Sequence, residues 1–208
     1  FVVSSPLPVT VYENLKTNFT YCVPESVTEI GPEAFYKCIT LEHVTLSENI
    51  GTIRKKAFLG CGAMKQIHVD ERNRHYRAID GVLYNKAGTK LIRCPEGKKN
   101  VIFSERVTSI EKGAFEGCSG LLEICLPESV TSIGRFAFLE CKQLKDICLS
   151  KSVNHIESFA FCGCESLTEA VCPHDLKTIE DCVFIHCTGL KRIALPEGLT
   201  SIGAMAFS

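Results

Sequence analysis

The sequence lacks tryptophan, any excess of one charge and any run of 18 apolar residues. A bilayer-spanning helix needs about 20 apolar residues, so no direct membrane insertion is expected. A formal net charge of -1 argues against nucleic acid as a partner. The motifs Gly-x-Ser-x-Gly, the phosphate loop and His-Glu-x-x-His are also absent, and no catalytic, cofactor-binding or metal-ligating residue is predicted. Residues 1–8 do not have the pattern of a signal peptide.

What the sequence does contain is a repeat. Phenylalanine recurs every 23 residues, with a single gap of 57, and a cysteine follows three residues behind the first six. Isoleucine occurs five residues before each of these phenylalanines. The positions are Phe35, Phe58, Phe115, Phe138, Phe161, Phe184 and Phe207, with Cys38, Cys61, Cys118, Cys141, Cys164 and Cys187. Self-similarity at a fixed period predicts a stacked repeat protein.

Each 23-residue unit has three parts. The first alternates apolar and polar side chains, as in residues 121–126, and predicts a half-buried strand. A shorter extended piece follows at Val130–Ile133, and Phe138 and Cys141 then share one face of an expected helical turn. The predicted fold is an α/β repeat solenoid of leucine-rich-repeat type. Its right-handed coils of 23 residues would combine parallel strands, short helical turns and one continuous core.

One coil differs from the others. Between the predicted strands at 67–69 and 101–103 the chain is longer, and the Ala-Phe-x-x-Cys pattern is missing. Residues 82–84 and 91–93 predict the strands of a projecting β-hairpin around a turn that contains Gly88. The predicted organisation is a degenerate N-terminal unit at 1–19, repeats at 20–69, an extended coil with a β-hairpin at 70–100, and repeats at 101–208 that are truncated at the C-terminus.

These units resemble a known family. The string LPESVTSIGRFAFLECKQLKDICL at 126–149 resembles the BspA-like leucine-rich repeats, and DGVLY at 80–84 with TKLIRCP at 89–95 resembles their hairpin-bearing unit. The resemblance covers about residues 20–208. It implies bacterial or protist surface proteins, often adhesins for host matrix proteins or other cells, without catalytic residues. The cysteine excess and residues 1–18 depart from the pattern.

The 13 cysteines allow several interpretations. The six repeat cysteines share one phase of the unit, and reduced thiols inside the core are the favoured reading. Disulfides between coils are disfavoured, because equivalent Cβ vectors run parallel. Cys125 and Cys148 are expected side by side on the exposed sheet, either as tolerated small residues or as a reactive pair. A zinc site is the less favoured reading of the cluster Cys162, Cys164, Cys182, His186 and Cys187.

The candidate binding surface is the outward face of the first strands. Its members combine small or apolar side chains with flanking charges, and contiguous exposed apolar surface often marks a partner site. A flat sheet that simply favours such residues is the alternative reading. The candidate residues are Thr45, His68, Ile102, Glu123, Cys125, Asp146, Cys148, Glu169, Val171 and Arg192. The hairpin supplies a second candidate set, Tyr76, Tyr84, Lys86 and Arg93, because projecting loops often carry specificity.

The sequence therefore predicts a non-catalytic protein-binding repeat module. The first hypothesis is a cell-surface or secreted adhesin that binds host or neighbouring-cell macromolecules, with an extracellular-matrix or serum protein as ligand. The second is an intracellular, cytoplasmic interaction scaffold or regulatory protein, which the many thiols favour.

Overall fold

The computed structural model describes residues 2–3 and 19–208. Of the predicted N-terminal unit at 1–19, residues 1 and 4–18 lie outside this range. The described residues form short β-strands joined by turns, in a solenoid of about eight coils. Most coils contribute two strands, one to each of two columns of parallel strands. Strands are numbered β1 to β18 along the chain.

The first column carries the candidate binding face. Its strands are β2 (Phe19–Cys22), β4 (Leu41–Leu46), β6 (Gln66–Val69), β11 (Glu123–Cys125), β13 (Asp146–Cys148), β15 (Glu169–Val171) and β17 (Arg192–Ala194). The second column has two-residue strands. They are β1 (Val2–Val3), β3 (Glu29–Ile30), β5 (Thr52–Ile53), β10 (Ser109–Ile110), β12 (Ser132–Ile133), β14 (His155–Ile156), β16 (Thr178–Ile179) and β18 (Ser201–Ile202).

Strand pairing follows the sequence repeat. In the second column Ser109 lies opposite Ser132, and Ser132 lies opposite His155. Each of these partners is 23 residues further along the chain. The predicted period and the parallel strands are therefore confirmed.

Phenyl rings from successive coils stack through the interior. Phe138 lies between Phe115 and Phe161, with ring centroids 4.8 Å and 5.1 Å away and near-parallel planes. All three rings are fully buried. Phe35 and Phe58 form a similar pair at 5.3 Å in the first coils. The ring stack is the part of the predicted core that the structure confirms.

The predicted helical turns are wrong, because the described residues contain no helix. In a helix, each N–H would bond to the carbonyl four residues earlier. Here the Phe35 N–H donates to Ala57 O at 2.8 Å in the next coil, and the Cys38 N–H closes a tight turn on Phe35 O. Lys37 has φ 58°, which no α-helix allows. Bonds between coils replace the helical bonds.

The repeat cysteines bond to the neighbouring coil. Cys141 Sγ lies 3.1 Å from Phe115 O, and Cys187 Sγ lies 3.1 Å from Phe161 O. Each thiol is therefore placed to donate to the carbonyl of the phenylalanine one coil earlier. The six repeat cysteines are buried, as expected for side chains inside the core, and none of the 13 cysteines, all of which lie within residues 19–208, is in a disulfide. In the described part of the chain no three His, Cys, Asp or Glu side chains are arranged to hold a metal ion.

The extended coil forms an antiparallel meander that does not project. Its strands are β7 (Tyr76–Ile79), β8 (Val82–Asn85) and β9 (Lys90–Arg93), and β9 then pairs in parallel with β10. The antiparallel pairing was predicted, but Val82, Leu83 and Tyr84 are fully buried. Leu83 belongs to the core of the first coils, whereas Val82 and Tyr84 belong to the core of the later coils. The expectation of one continuous core is therefore wrong, because β8 separates two.

A buried ion pair substitutes for the turn that the extended coil lacks. Glu96 Oε1 accepts a bond from the Gly60 N–H at 2.8 Å, where other coils would supply a carbonyl. Arg93 Nη2 donates to the same oxygen at 2.6 Å, and Arg93 Nη1 donates to Gly113 O at 2.9 Å. Burial raises the pKa of the Glu96 carboxyl, and the charge of Arg93 opposes that rise. The pair thereby joins the coils on either side.

The strand predicted at residues 101–103 is absent. A strand needs a neighbour in register, and the preceding coil has rearranged into the meander. The first column is consequently divided into two sheets, β2-β4-β6 and β11-β13-β15-β17.

Candidate protein-binding face

The second sheet exposes the candidate residues that lie on its strands. On β11 the side chains of Glu123 and Cys125 are exposed, while Ile124 between them is buried. On β13 the exposed residues are Asp146 and Cys148. The alternation places every second side chain on the outer surface, which we call the sheet face: Glu123, Cys125, Asp146, Cys148, Glu169, Val171, Arg192 and Ala194.

Carboxylates form one row along the sheet face. Glu123 lies opposite Asp146, which lies opposite Glu169, and Arg192 ends the row. Glu169 is 3.5 Å from the Arg192 guanidinium. Among residues 19–208 neither Glu123 nor Asp146 is in an ion pair. Glu123 and Asp146 therefore place two unpaired negative charges opposite each other on adjacent strands. Repulsion between these charges destabilises the sheet when no partner is bound.

A second row of small and apolar side chains lies beside the carboxylates. Cys125 is opposite Cys148, and Val171 is opposite Ala194. The Val171 side chain remains 57% exposed. Desolvation raises the pKa of Cys125, and the neighbouring Cys148 and Glu123 add to that rise. The Cys125 thiol is therefore uncharged at neutral pH.

The absent strand at 101–103 opens a groove that the sequence did not predict. It is lined by Asn100, Val101, Phe103 and residues of β11 and β13, and its volume is about 470 Å³. Ile102 stays 64% exposed next to it. The groove places apolar walls against Glu123 and Asp146. The one feature of the sequence that could have indicated this groove is that residues 100–103 directly follow the extended coil.

The first sheet contributes less to the face. Thr45 is half-buried and lies opposite the exposed His68. The rings of His43 and His68 stack, with their centroids 5.9 Å apart. In the described residues no strand pairing connects β6 with β11. Thr45 and His68 therefore do not belong to the same sheet as the carboxylate row that begins at Glu123.

The hairpin set does not form an exposed site. Tyr84 is fully buried, its hydroxyl accepts a bond from the Ser104 N–H, and burial raises its pKa to about 12. Arg93 is buried in the pair with Glu96. Tyr76 is half-buried, and Lys86 alone of the four is exposed, with its Nζ 2.8 Å from Glu71 O. The meander packs into the core, so neither Tyr84 nor Arg93 can act as a surface contact.

Sequence comparison decides the family. The BspA-type leucine-rich repeat region matches residues 10–97 and 93–208, with six copies. The chain belongs to this BspA-type family. Such repeats generally mediate binding between proteins. Among functionally curated proteins, none shows significant similarity to this sequence.

Solved bacterial structures share the fold of this BspA-type chain. A leucine-rich cell surface protein from Faecalibacterium prausnitzii is 28% identical with a TM-score of 0.61, over 84% of this chain and 59% of its own. A leucine-rich repeat protein from Bacteroides ovatus is 25% identical with a TM-score of 0.64, over 91% of this chain and 49% of its own. The pneumococcal vaccine antigen PcpA is 22% identical with a TM-score of 0.65, over 89% of this chain and 56% of its own. The BspA-type chain thus spans about half to three fifths of these proteins. The described residues include no candidate for a membrane-spanning helix.

Proposed function

We propose that this chain is a non-catalytic protein-binding module of a cell-surface or secreted adhesin. Its ligand would be a host or neighbouring-cell protein, such as one of the extracellular matrix or serum, bound at the sheet face. The observation that carries the proposal is the groove beside β11, where apolar walls adjoin the unpaired carboxylates of Glu123 and Asp146. The BspA-type repeats and the likeness to a leucine-rich cell surface protein support the location.

The geometry favours a ligand with basic residues around an apolar anchor. Interface energy concentrates in apolar or aromatic anchors that fill pockets, and charges at the rim set specificity and association rate. The groove can take the anchor, while Glu123 and Asp146 attract lysine or arginine side chains.

The test is capture of immobilised matrix and serum proteins by the purified chain. The double variant Glu123→Lys/Asp146→Lys should reduce capture at least tenfold, because it reverses both charges at the groove. The matched control is Glu105→Lys/Glu128→Lys, which makes the same change of charge in exposed turns between the strand columns. Equal capture by both double variants and the wild type would contradict binding at the sheet face.

A second candidate function is an intracellular interaction scaffold. The observation in its favour is the set of 13 free thiols, because secreted proteins tend to pair their cysteines. Brief protease treatment of intact cells distinguishes the surface adhesin from the intracellular scaffold. Loss of the protein supports surface display, and full protection until lysis supports the scaffold.

A further inference from the structure

The extended coil lacks the turn that carries the Ala-Phe-x-x-Cys pattern in the other coils. Its absence leaves a second opening, on the side of the solenoid where these turns stack. We call it the turn-side notch. It lies between the turn that contains Phe58 and the turn that contains Gly113, and its volume is about 410 Å³. Ligand sites in proteins are commonly about 300–1,000 Å³, so this notch is large enough for a few residues of a bound peptide.

The notch has an apolar lining. Leu83 of β8 and Phe58 are buried there, and Ile92 of β9 and Leu139 are half-buried. Elsewhere in the solenoid such side chains are covered by the next turn of the stack. Here the meander replaces that turn, and Ile92 and Leu139 remain partly exposed at the opening.

Cations surround this lining. Lys55, Lys56 and Lys112 are exposed at the notch, and none of them is in an ion pair within residues 19–208. Arg54 also lines it but is paired with Glu29 at 3.0 Å. Glu116 is the one carboxylate among the lining residues. The notch is therefore positive in a chain whose formal net charge is -1.

A buried donor without a partner lies in the wall of the notch. Arg93 lines the notch and is 9% exposed. Its two terminal nitrogens bond to Gly113 O and Glu96, but its Nε has no hydrogen-bond partner. Buried polar groups are normally paired, so the unpaired Nε–H of Arg93 adds to the positive character of the notch wall.

From these contacts we propose that the turn-side notch binds an acidic peptide segment that carries one large apolar side chain. The apolar side chain fills the space over Ile92 and Leu139. The flanking carboxylates pair with Lys55, Lys56 and Lys112. This site is distinct from the sheet face and opposite to it in charge, so the two surfaces select different partner segments. The apolar lining disfavours inorganic phosphate, which would need a fully polar cradle.

The direct test uses the synthetic peptide acetyl-Glu-Asp-Leu-Glu-Asp-amide and isothermal titration with the whole chain. Two analogues dissect the recognition: Gln and Asn replace the acids in one, and Ser replaces Leu in the other. Both analogues should bind at least tenfold more weakly. An acid-free analogue that binds as tightly as the parent overturns the role of the lysines, and an unaffected Ser analogue overturns the apolar pocket.

Variants locate the peptide on the protein. Lys55→Glu/Lys112→Glu should weaken binding at least tenfold, whereas Lys151→Glu/Lys191→Glu, which alters two exposed lysines away from the notch, should leave it within about twofold. Equal weakening by the two double variants would show nonspecific attraction and overturn the site. Methyl NMR of the wild type gives a reading that does not depend on variant folding. The Ile53 and Ile92 signals should shift on titration, and shifts confined to the sheet face would overturn the proposal.

Discussion

Phe115 and Phe138 lie face to face, with their ring centroids 4.8 Å apart and their planes at 5°. Phe138 makes a second stacked contact with Phe161 on its other side. Phe138→Ala would remove a fully buried ring from the middle of this row. We expect a loss of about 3–5 kcal/mol in the free energy of unfolding, measured by urea denaturation followed by circular dichroism.

Phe207 provides the matched control for the ring stack. It stacks on Phe184 at 5.8 Å but is 42% exposed. Phe207→Ala should therefore cost less than half as much as Phe138→Ala. Equal losses would mean that burial in the stack does not determine the stability.

Gly60 and Gly62 offer a comparison within one turn. Gly60 has φ +81°, and a Cβ placed there would meet the Lys37 backbone at 3.1 Å. Nothing lies within 4 Å of a Cβ at Gly62. Gly60→Ala should lower the free energy of unfolding by about 1–3 kcal/mol, while Gly62→Ala should change it by less than about 1 kcal/mol. Thermal unfolding of both variants checks this, and a destabilised Gly62→Ala would refute the steric argument.

The Arg93–Glu96 pair should be sensitive to loss of either member. Arg93→Ala leaves the Glu96 carboxylate buried without its cation and removes the bond to Gly113 O. We expect a loss of about 3–5 kcal/mol at pH 7, by urea denaturation.

That loss should depend on pH in a defined direction. Burial raises the pKa of Glu96 above its usual 4.5, and without Arg93 the pKa should rise further. The folded variant then holds the proton more tightly than the unfolded chain. Its stability is greatest below about pH 4.5 and falls as the pH rises through the folded-state pKa. The difference from wild type should therefore grow between about pH 4 and pH 7. Arg93→Ala/Glu96→Gln should abolish that growth, and its persistence would implicate another group.

Thiol reactivity should follow burial. Cys22, Cys125 and Cys148 are exposed, Cys162 is half-buried, and the other cysteines are buried. A short iodoacetamide pulse at pH 8 should modify the three exposed thiols first, whereas all 13 should react in denaturant. Peptide mass spectrometry gives the sites. Rapid modification of Cys141 in the native protein would contradict the buried column.

Cys148 should also slow the reaction of Cys125. The neighbouring thiol contributes to the raised pKa of Cys125, after desolvation, and so lowers its thiolate fraction. Cys148→Ala should therefore speed alkylation of Cys125 at pH 8. An unchanged rate would mean that desolvation alone sets the reactivity.

The sequence was sufficient to predict the stacked repeat but not the backbone conformation of the turns. The 23-residue spacing of Phe115, Phe138 and Phe161 identified the stack, because equivalent positions must overlie one another in a solenoid. The spacing of Phe138 and Cys141 does not distinguish a helical turn from successive tight turns, because both place the two side chains on one side. The backbone of Phe136 at φ 61° leaves no mark in the sequence.

The extended coil shows the same limit. Its antiparallel strands could be predicted from the turn near Gly88, but their burial was missed. The consecutive apolar residues Val82, Leu83 and Tyr84 were the available signal, since a strand covered on both faces lacks alternation. The groove beside β11 and the notch beside Lys112 could not be predicted, because both arise where neighbouring coils fail to cover each other.

The boundary at β8 has a mechanical consequence. Leu83 and Tyr84 are adjacent in the chain yet belong to separate interiors. Between these interiors, the Arg93–Glu96 link stands in for a stacked turn. Cooperative units of a protein often follow such divisions. Under a pulling force, the parts of the molecule on the two sides of β8 should therefore unfold in two separate steps. In hydrogen exchange, the backbone amides of each part should be protected independently of the other part.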